Sequence, residues 1–166
     1  MAGKAKTLVR LAGLHDVEAI GRLLHDFNRE FGEPTPSPDA LAERLRLLLD
    51  HGDTAALLAG DGPGGLAVLR FRAAIWTTGL ECYLAELYVT PNRRRQGLGR
   101  ALMGEALKEA GARGAGSMDI GVDEPDIAAR RLYESLGFTN RAGGGGRPAD
   151  VRLRAPIVRS AWATFQ

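Results

Sequence analysis

"LAELYVTPNRRRQGLGRAL", residues 84–102, decides how this chain is read. An apolar run ends at Thr90 and Pro91, three arginines follow, and Gly97 and Gly99 flank Leu98. From Leu98 the period turns helical, with Leu98, Ala101, Leu102, Ala106 and Leu107 on one face. The order is strand, basic turn, glycine-opened helix. Glycines weaken a helix start unless the backbone there must approach something closely. A helix N-terminus offers unpaired N–H groups and roughly half a positive charge. Glycine lets a bulky diphosphate touch that backbone, and nearby arginines add countercharge.

Other loops fit less well. A dinucleotide fold needs Gly-x-Gly-x-x-Gly close to the strand end, but Leu102 stands where the third glycine belongs and Pro91 to Gln96 intervene. No Gly-Lys-Ser/Thr is present for a nucleoside-triphosphate loop. Arg93, Arg94 and Arg95 form a small basic footprint in a chain of net charge +2, without interleaved aromatics, so nucleic acid is not the expected partner.

Upstream, "TLVRLAG" (7–13) alternates like a short strand. "LHDVEAIGRLLHDFNREFG" then carries a helical stripe of Val17, Ile20, Leu23, Leu24 and Phe27 that Gly32 ends. After "EPTPSP", Ser37 is placed to cap a second helix with Pro38 in its first turn and Leu41, Leu45, Leu48 and Leu49 on one face. "TAALLAG" (54–60), "GGLAVLRFRAAIW" (64–76) and "ECYLAELYV" (81–89) read as antiparallel strands joined by short turns. Downstream, "SMDIGV" (117–122) is a strand reached by a helical crossover, hence parallel to the one ending at Val89. "EPDIAARRLYESLGF" (124–138) is a helix with Pro125 at its start, and Gly137 suits its left-handed cap. "RAGGGGRP" (141–148) is a connection before a last strand, "ADVRLRAPI".

These elements predict one α/β domain over residues 1–166, in three layers, with about four helices flanking a mixed, mostly antiparallel sheet of six to seven strands. With 45% apolar and 25% charged residues, the composition is that of a folded protein. Cys82 is the single cysteine, which excludes an internal disulfide and fits a reducing compartment; the cytoplasm is expected. The N-terminal "MAGKAKTLVRL" lacks an apolar leader core and no apolar run is long enough for a membrane helix, so no membrane partner is expected. His15, His25 and His51 lack ligand spacing with other donors, and no metal is expected.

Arg94-Arg95-Gln96-Gly97-Leu98-Gly99 resembles the acyl-CoA loop of the GNAT superfamily of N-acetyltransferases, Arg/Gln-x-x-Gly-x-Gly/Ala. A second segment of that family, Asn-x-x-Ala-x-x-Leu-Tyr-x-x-x-Gly-Phe, is matched by "DIAARRLYESLGF" (126–138) at Ala129, Leu132, Tyr133, Gly137 and Phe138, with Asp126 in place of asparagine. The resemblance covers the chain from Leu8 to Ile157, order of elements included. It implies acetyl transfer from acetyl-CoA to a primary amine by direct attack, the acceptor being a small molecule or a peptide. Homodimers are frequent among such proteins, though nothing in this chain marks an interface.

For the cofactor, the resemblance implies Arg94, Arg95, Gln96, Gly97, Gly99, Arg100 and Ala101 at the diphosphate, mainly through N–H groups. It also implies the backbone of Leu87, Tyr88 and Val89 along the pantetheine arm, with Asp126 and Ala129 nearby. Tyr133 is implied as the proton donor to the departing thiolate, a role a phenol of pKa about 10 can fill at neutral pH. A base is also needed, because a lysine-like amine is neutral in only about one molecule in 2,500 at pH 7. Glu86 is the candidate: alternation puts it on the face of Leu84 and Tyr88, an acid among apolar neighbours, where it serves as base or orders the strand. Glu81 is a weaker candidate at the strand's edge. In such proteins the segment "NREFGEPTPSPDA" (28–40) and the loop "AGGGG" (142–146) help wall the acceptor site. Glu30, Glu33 and Asp39 either favour a cationic acceptor or are a solvated edge. The rival reading is a non-catalytic acyl-CoA-binding or regulatory module of the same fold.

Overall fold

The structure is a computed structural model that describes residues 8–123, 127–139 and 150–156. In chain order it contains β1 (Val9–Leu11), a 3-10 turn (Leu14–Asp16), α1 (Val17–Glu30), α2 (Pro38–His51), β2 (Thr54–Ala59), β3 (Gly65–Ala73) and β4 (Leu80–Val89). A second 3-10 turn (Pro91–Arg93), α3 (Leu98–Ala112), β5 (Ala115–Asp123), α4 (Ile127–Ser135) and β6 (Asp150–Pro156) follow. The fold is α/β, with a mixed sheet and four α-helices; strand order is β1-β2-β3-β4-β5-β6. No seventh strand occurs among the described residues. Pro125, Asp126 and the connections over residues 141–148 and 142–146 lie outside them.

Two compact units divide these elements. The first comprises the chain up to Val68 together with Glu86–Ala106. Here β1 pairs antiparallel with β2, Val9 opposite Ala59. Every residue of β2 is buried, which is why "TAALLA" shows no polar alternation. Val17, Ile20 and Leu23 of α1 pack in this core with Ala42 and Leu45 of α2. Gly21 makes that helix pairing possible, because a Cβ there would lie 2.5 Å from the Pro38 carbonyl oxygen. Ser37 caps α2 as its position in the sequence requires, its hydroxyl accepting from the Ala40 N–H at 3.2 Å. At the start of α1, buried Asp16 receives both Nη groups of Arg10 at 2.7 and 2.8 Å and the Gly13 N–H at 2.9 Å. The Arg10 hydrogen bonds hold its carboxyl down at about 2.

The second unit comprises Leu69–Ala85 and the chain from Leu107. Within it β4 runs parallel to β5, Cys82 opposite Met118, as the helical crossover predicts, and β5 runs antiparallel to β6. Its core includes Leu69, Phe71, Leu84, Leu107, Met118, Ile120 and Phe138. The strand expected through Trp76 stops at Ala73. Ala74 N–H donates to the Gly79 carbonyl across a hairpin tip, and Ile75 and Trp76 are 85% and 90% exposed there. Apolar residues had made a turn look like strand. α4 closes as Gly137 and Phe138 predict: with Gly137 at φ 92°, Phe138 N–H donates to Tyr133 O at 3.1 Å and Gly137 N–H to Glu134 O.

Candidate functional site

Beyond Val89 the chain is stitched into a turn. Thr90 N–H donates to Gly64 O, Arg93 N–H to Thr90 O and Arg94 N–H to Pro91 O. Arg94 is extended, Arg95 takes φ 61° and Gly97 takes φ 83°. The first helical hydrogen bond of α3 then runs from Ala101 N–H to Gly97 O at 3.0 Å. The N–H groups of Gly97, Leu98 and Gly99 precede any carbonyl the helix can offer them. A Cβ at Gly97 would meet nothing within 4 Å, so the mouth of this turn is open. Left-handed residues alternating with ordinary ones turn successive N–H groups into an anion-binding concavity, at the positive end of the helix dipole. The residues present therefore suit a diphosphate.

The three arginines do three different things. Arg93 lies over the β2–β3 turn, its Nη2 2.9 Å from where a Cβ on Gly60 would sit, and its Nε donates to Gln96 Oε1 at 3.4 Å. Gln96 is turned back on the loop, its amide donating to Asn92 O. Arg94 reaches away from the loop to the end of α1, where Nη1 and Nη2 meet the two oxygens of Glu30 at 2.7 and 2.8 Å. Its Nε donates to Val89 O at 2.9 Å. Arg95 is exposed, and its side chain has no hydrogen bond or ion pair among the described residues. Of the trio, it is the one with a guanidinium to spare.

Glu86 sits three residues before Val89 with its side chain largely withdrawn from water. Burial pushes its carboxyl up from the usual glutamate range, and no hydrogen-bond or ion-pair partner occurs among the described residues. Beside it, Tyr88 stacks on Phe27 of α1 at 5.0 Å between ring centres, and Phe27 meets Phe31 edge-on. The ladder between β4 and β5 runs only from Leu80 to Leu84. β4 holds one residue more than β3 between the Ala74–Gly79 and Gly64–Thr90 hydrogen bonds, the mark of a β-bulge. The bulge interrupts once the regular alternation on which the side-chain faces of β4 were read.

A model of the acetyltransferase (GNAT) family matches residues 20–138. The chain belongs to this family. Mycothiol acetyltransferase of Thermobispora bispora is 45% identical over 121 residues, 70% of this chain and 35% of that one. The [Ribosomal protein bS18]-alanine N-acetyltransferase of Escherichia coli strain K12 is 43% identical over 58 residues, 35% of this chain and 39% of that one. The chain thus spans about a third of the length of the mycothiol acetyltransferases it matches. A crystal structure of a provisionally assigned acetyltransferase from Arthrobacter sp. FB24 superposes with a TM-score of 0.78 at 44% identity, covering 89% of this chain and 95% of that one.

Of the expected site residues, Glu86, Leu87, Tyr88, Val89 and Arg94 to Ala101 fall in the first unit, on one continuous stretch. Ala129, half-buried, and Tyr133 fall in the second; Asp126 lies outside the described residues. Tyr133 is 6% exposed and meets Phe138 edge-on at 6.1 Å. Cys82 is also buried, and burial pushes its thiol up to about 12, which works against a thiolate that could carry an acyl group. Glu81 is held by Arg72 at 2.7 Å. Arg70, Arg72, Glu81, Tyr83 and Asp119 line a cavity of about 300 Å³ in this unit, with Phe71 and Cys82. No sequence motif marks it. Among the described residues no cluster of three His, Cys, Asp or Glu could hold a metal, and no helix is long and apolar enough to cross a membrane.

The sequence groups Glu30 with Glu33 and Asp39, as acids that favour a cationic acceptor or form a solvated edge. The structure separates them: Glu30 is neutralised by Arg94, while Glu33 and Asp39 form no ion pair among the described residues. The α1–α2 connection is tied back to α1. Asn28 donates to Pro34 O at 3.3 Å, and His25 Nδ1 lies 2.9 Å from Pro36 O, where the tautomer protonated at that nitrogen donates.

Proposed function

We propose that the protein is an acetyl-CoA-dependent N-acetyltransferase that acetylates a primary amine by direct attack. The open, glycine-entered N-terminus of α3, with Arg95 unengaged beside it, carries this reading. Acetyl-CoA supplies an acetyl group activated as a thioester. Gly97, Leu98 and Gly99 offer N–H groups to the diphosphate, with Gln96 and Arg100 beside them, whereas the N–H expected from Ala101 is already given to Gly97 O. Leu87, Tyr88 and Val89 offer strand backbone to the pantetheine amides, as an added strand would use it. Val89 does so through its N–H, since its carbonyl already accepts from Arg94.

Glu86 takes the proton shed by the amine as its nitrogen bonds to the acetyl carbon and the C–S bond breaks. A raised carboxyl pKa suits that task, because it brings the base closer to working pH. Tyr133 gives its phenolic proton to the departing thiolate, the role implied for the tyrosine of this motif. The relatives named for mycothiol and for an alanine of ribosomal protein bS18 support an amine acceptor that is either a small molecule or a protein. A lone buried cysteine supports a reducing, cytoplasmic setting. We retain one domain, since β3, β4 and α3 each contribute to both units.

Thiol release from acetyl-CoA with a panel of amines tests the assignment. Amine-dependent release lost in Tyr133→Phe supports it. Saturable acetyl-CoA binding without amine-dependent release would instead make the protein a binding module.

A further inference from the structure

We propose that Arg94 is a positioning residue: it locks the last residues of β4 to the end of α1, setting the backbone that receives the pantetheine arm, and its charge does not serve the diphosphate. The inference rests on the acetyl-CoA reading above. An arginine has five N–H donors in a fixed fork, and three of them are placed here. Two meet the two oxygens of Glu30 and one meets Val89 O. The guanidinium also lies 5.9 Å from the centre of the Tyr88 ring.

Glu30 belongs to the same cluster as Tyr88. Its carboxyl is lowered first by the Arg94 hydrogen bonds and also by one from the Tyr88 hydroxyl, against the opposing effect of burial. Burial, then the bond to Glu30, pushes the Tyr88 phenol up to about 12, so that hydroxyl stays a donor. With the Tyr88 ring stacked on Phe27, the end of α1, the end of β4 and the start of the basic turn form one polar and aromatic joint. An ordinary exposed ion pair holds little. This one is bidentate and carries a third bond to the strand carbonyl, a geometry that only guanidinium provides. Because Arg94 fixes Val89 O, it fixes the peptide unit between the pantetheine strand and the turn. Its positive charge is already matched by Glu30.

The test compares equilibrium titrations with acetyl-CoA and with acetyl-pantetheine, which lacks the diphosphate, and melts without ligand check that each variant folds. Arg94→Lys keeps the charge and loses the fork, and we expect it to weaken both ligands by the same factor, about tenfold. Glu30→Gln should weaken both as well, and the double variant should be no worse than Arg94→Lys alone. Arg95→Gln should weaken acetyl-CoA only. Retention of wild-type acetyl-CoA affinity in Arg94→Lys overturns the proposal, since a point charge would then suffice. So does tighter acetyl-CoA binding in Glu30→Gln with acetyl-pantetheine unchanged, the signature of a released arginine reaching the diphosphate. If the wild-type protein binds neither ligand, it is the acetyl-CoA reading that fails.

Discussion

Arg95 and Gly97, two residues apart at the entrance to α3, both hold left-handed backbone, at φ 61° and 83°. Placing two such residues around Gln96 makes the turn concave, and only one of them is glycine. Arg95 carries the cost that an L side chain incurs there, roughly 1–2 kcal/mol. Strain of this kind persists where the surrounding structure or a ligand requires it.

The diphosphate site is checked first at Gly97. A methyl group there meets open space, so Gly97→Ala acts through backbone strain alone and should cost about 1 kcal/mol of stability. Acetyl-CoA at 100 times its Kd should stabilise the wild-type fold by about 2.7 kcal/mol, and NAD should not. In Gly97→Ala that ligand-induced gain should shrink sharply in thermal melts. An undiminished gain would move the diphosphate elsewhere.

Glu86 makes a prediction about pH. Its carboxyl is raised, so the basic form is lost as pH falls through a value above the ordinary glutamate range, and the acid limb of kcat/KM should lie there. Glu86→Gln should remove that limb and lower kcat about a hundredfold. Stability responds in the opposite sense: a raised pKa favours the fold below the unfolded-state value and disfavours it as pH rises through the folded one. Glu86→Gln should therefore be slightly more stable than wild type at neutral pH. A pH profile identical to wild type in Glu86→Gln would remove Glu86 from the chemistry.

Tyr133 separates packing from catalysis. Its ring meets Phe138 at the close of α4, and Tyr133→Phe keeps that ring contact while removing the hydroxyl. The rate should fall about a hundredfold, with the largest loss in kcat. Cys82→Ala should leave the rate nearly intact while costing stability, because the thiol is buried and protonated. Loss of activity in Cys82→Ala with the fold preserved would revive acyl transfer through sulfur.

Asp16 predicts an acid-sensitive anchor at the start of α1. Its pKa is lowered to about 2, chiefly by Arg10, so its stabilisation is full above the ordinary value of 3.8 and is lost as pH falls through about 2. Asp16→Asn should cost about 1–3 kcal/mol at pH 7. Urea melts at pH 7, 4 and 2 should show the gap between variant and wild type closing only at the lowest pH.

Much of this architecture was legible because it rests on local rules. Ser37 and Pro38 announced the start of α2, and Gly137 with Phe138 the end of α4. The crossover from Val89 through α3 required a parallel β5. Misreadings arose where apolar residues are not buried, as at Ile75 and Trp76, because hydropathy cannot distinguish a strand from an exposed hairpin tip. The bulge in β4 was also hidden. One extra residue is invisible until its partner strand supplies a register.

By itself the sequence determined the kind of loop that joins β4 to α3: proline, arginines and two glycines ahead of an apolar helix suit a phosphate, since dipole and glycine conformation are properties of the local chain. It determined that Glu86 is an acid in an apolar strand. Only tertiary structure divided the three arginines, giving Arg93 to the β2–β3 turn, Arg94 to Glu30 and leaving Arg95 exposed. The physical reason is reach. An arginine's partner is chosen by whichever carboxylate or carbonyl the fold brings within about 3 Å, and Glu30, 64 residues away in the chain at the end of α1, comes that close only once β4 has been laid beside it.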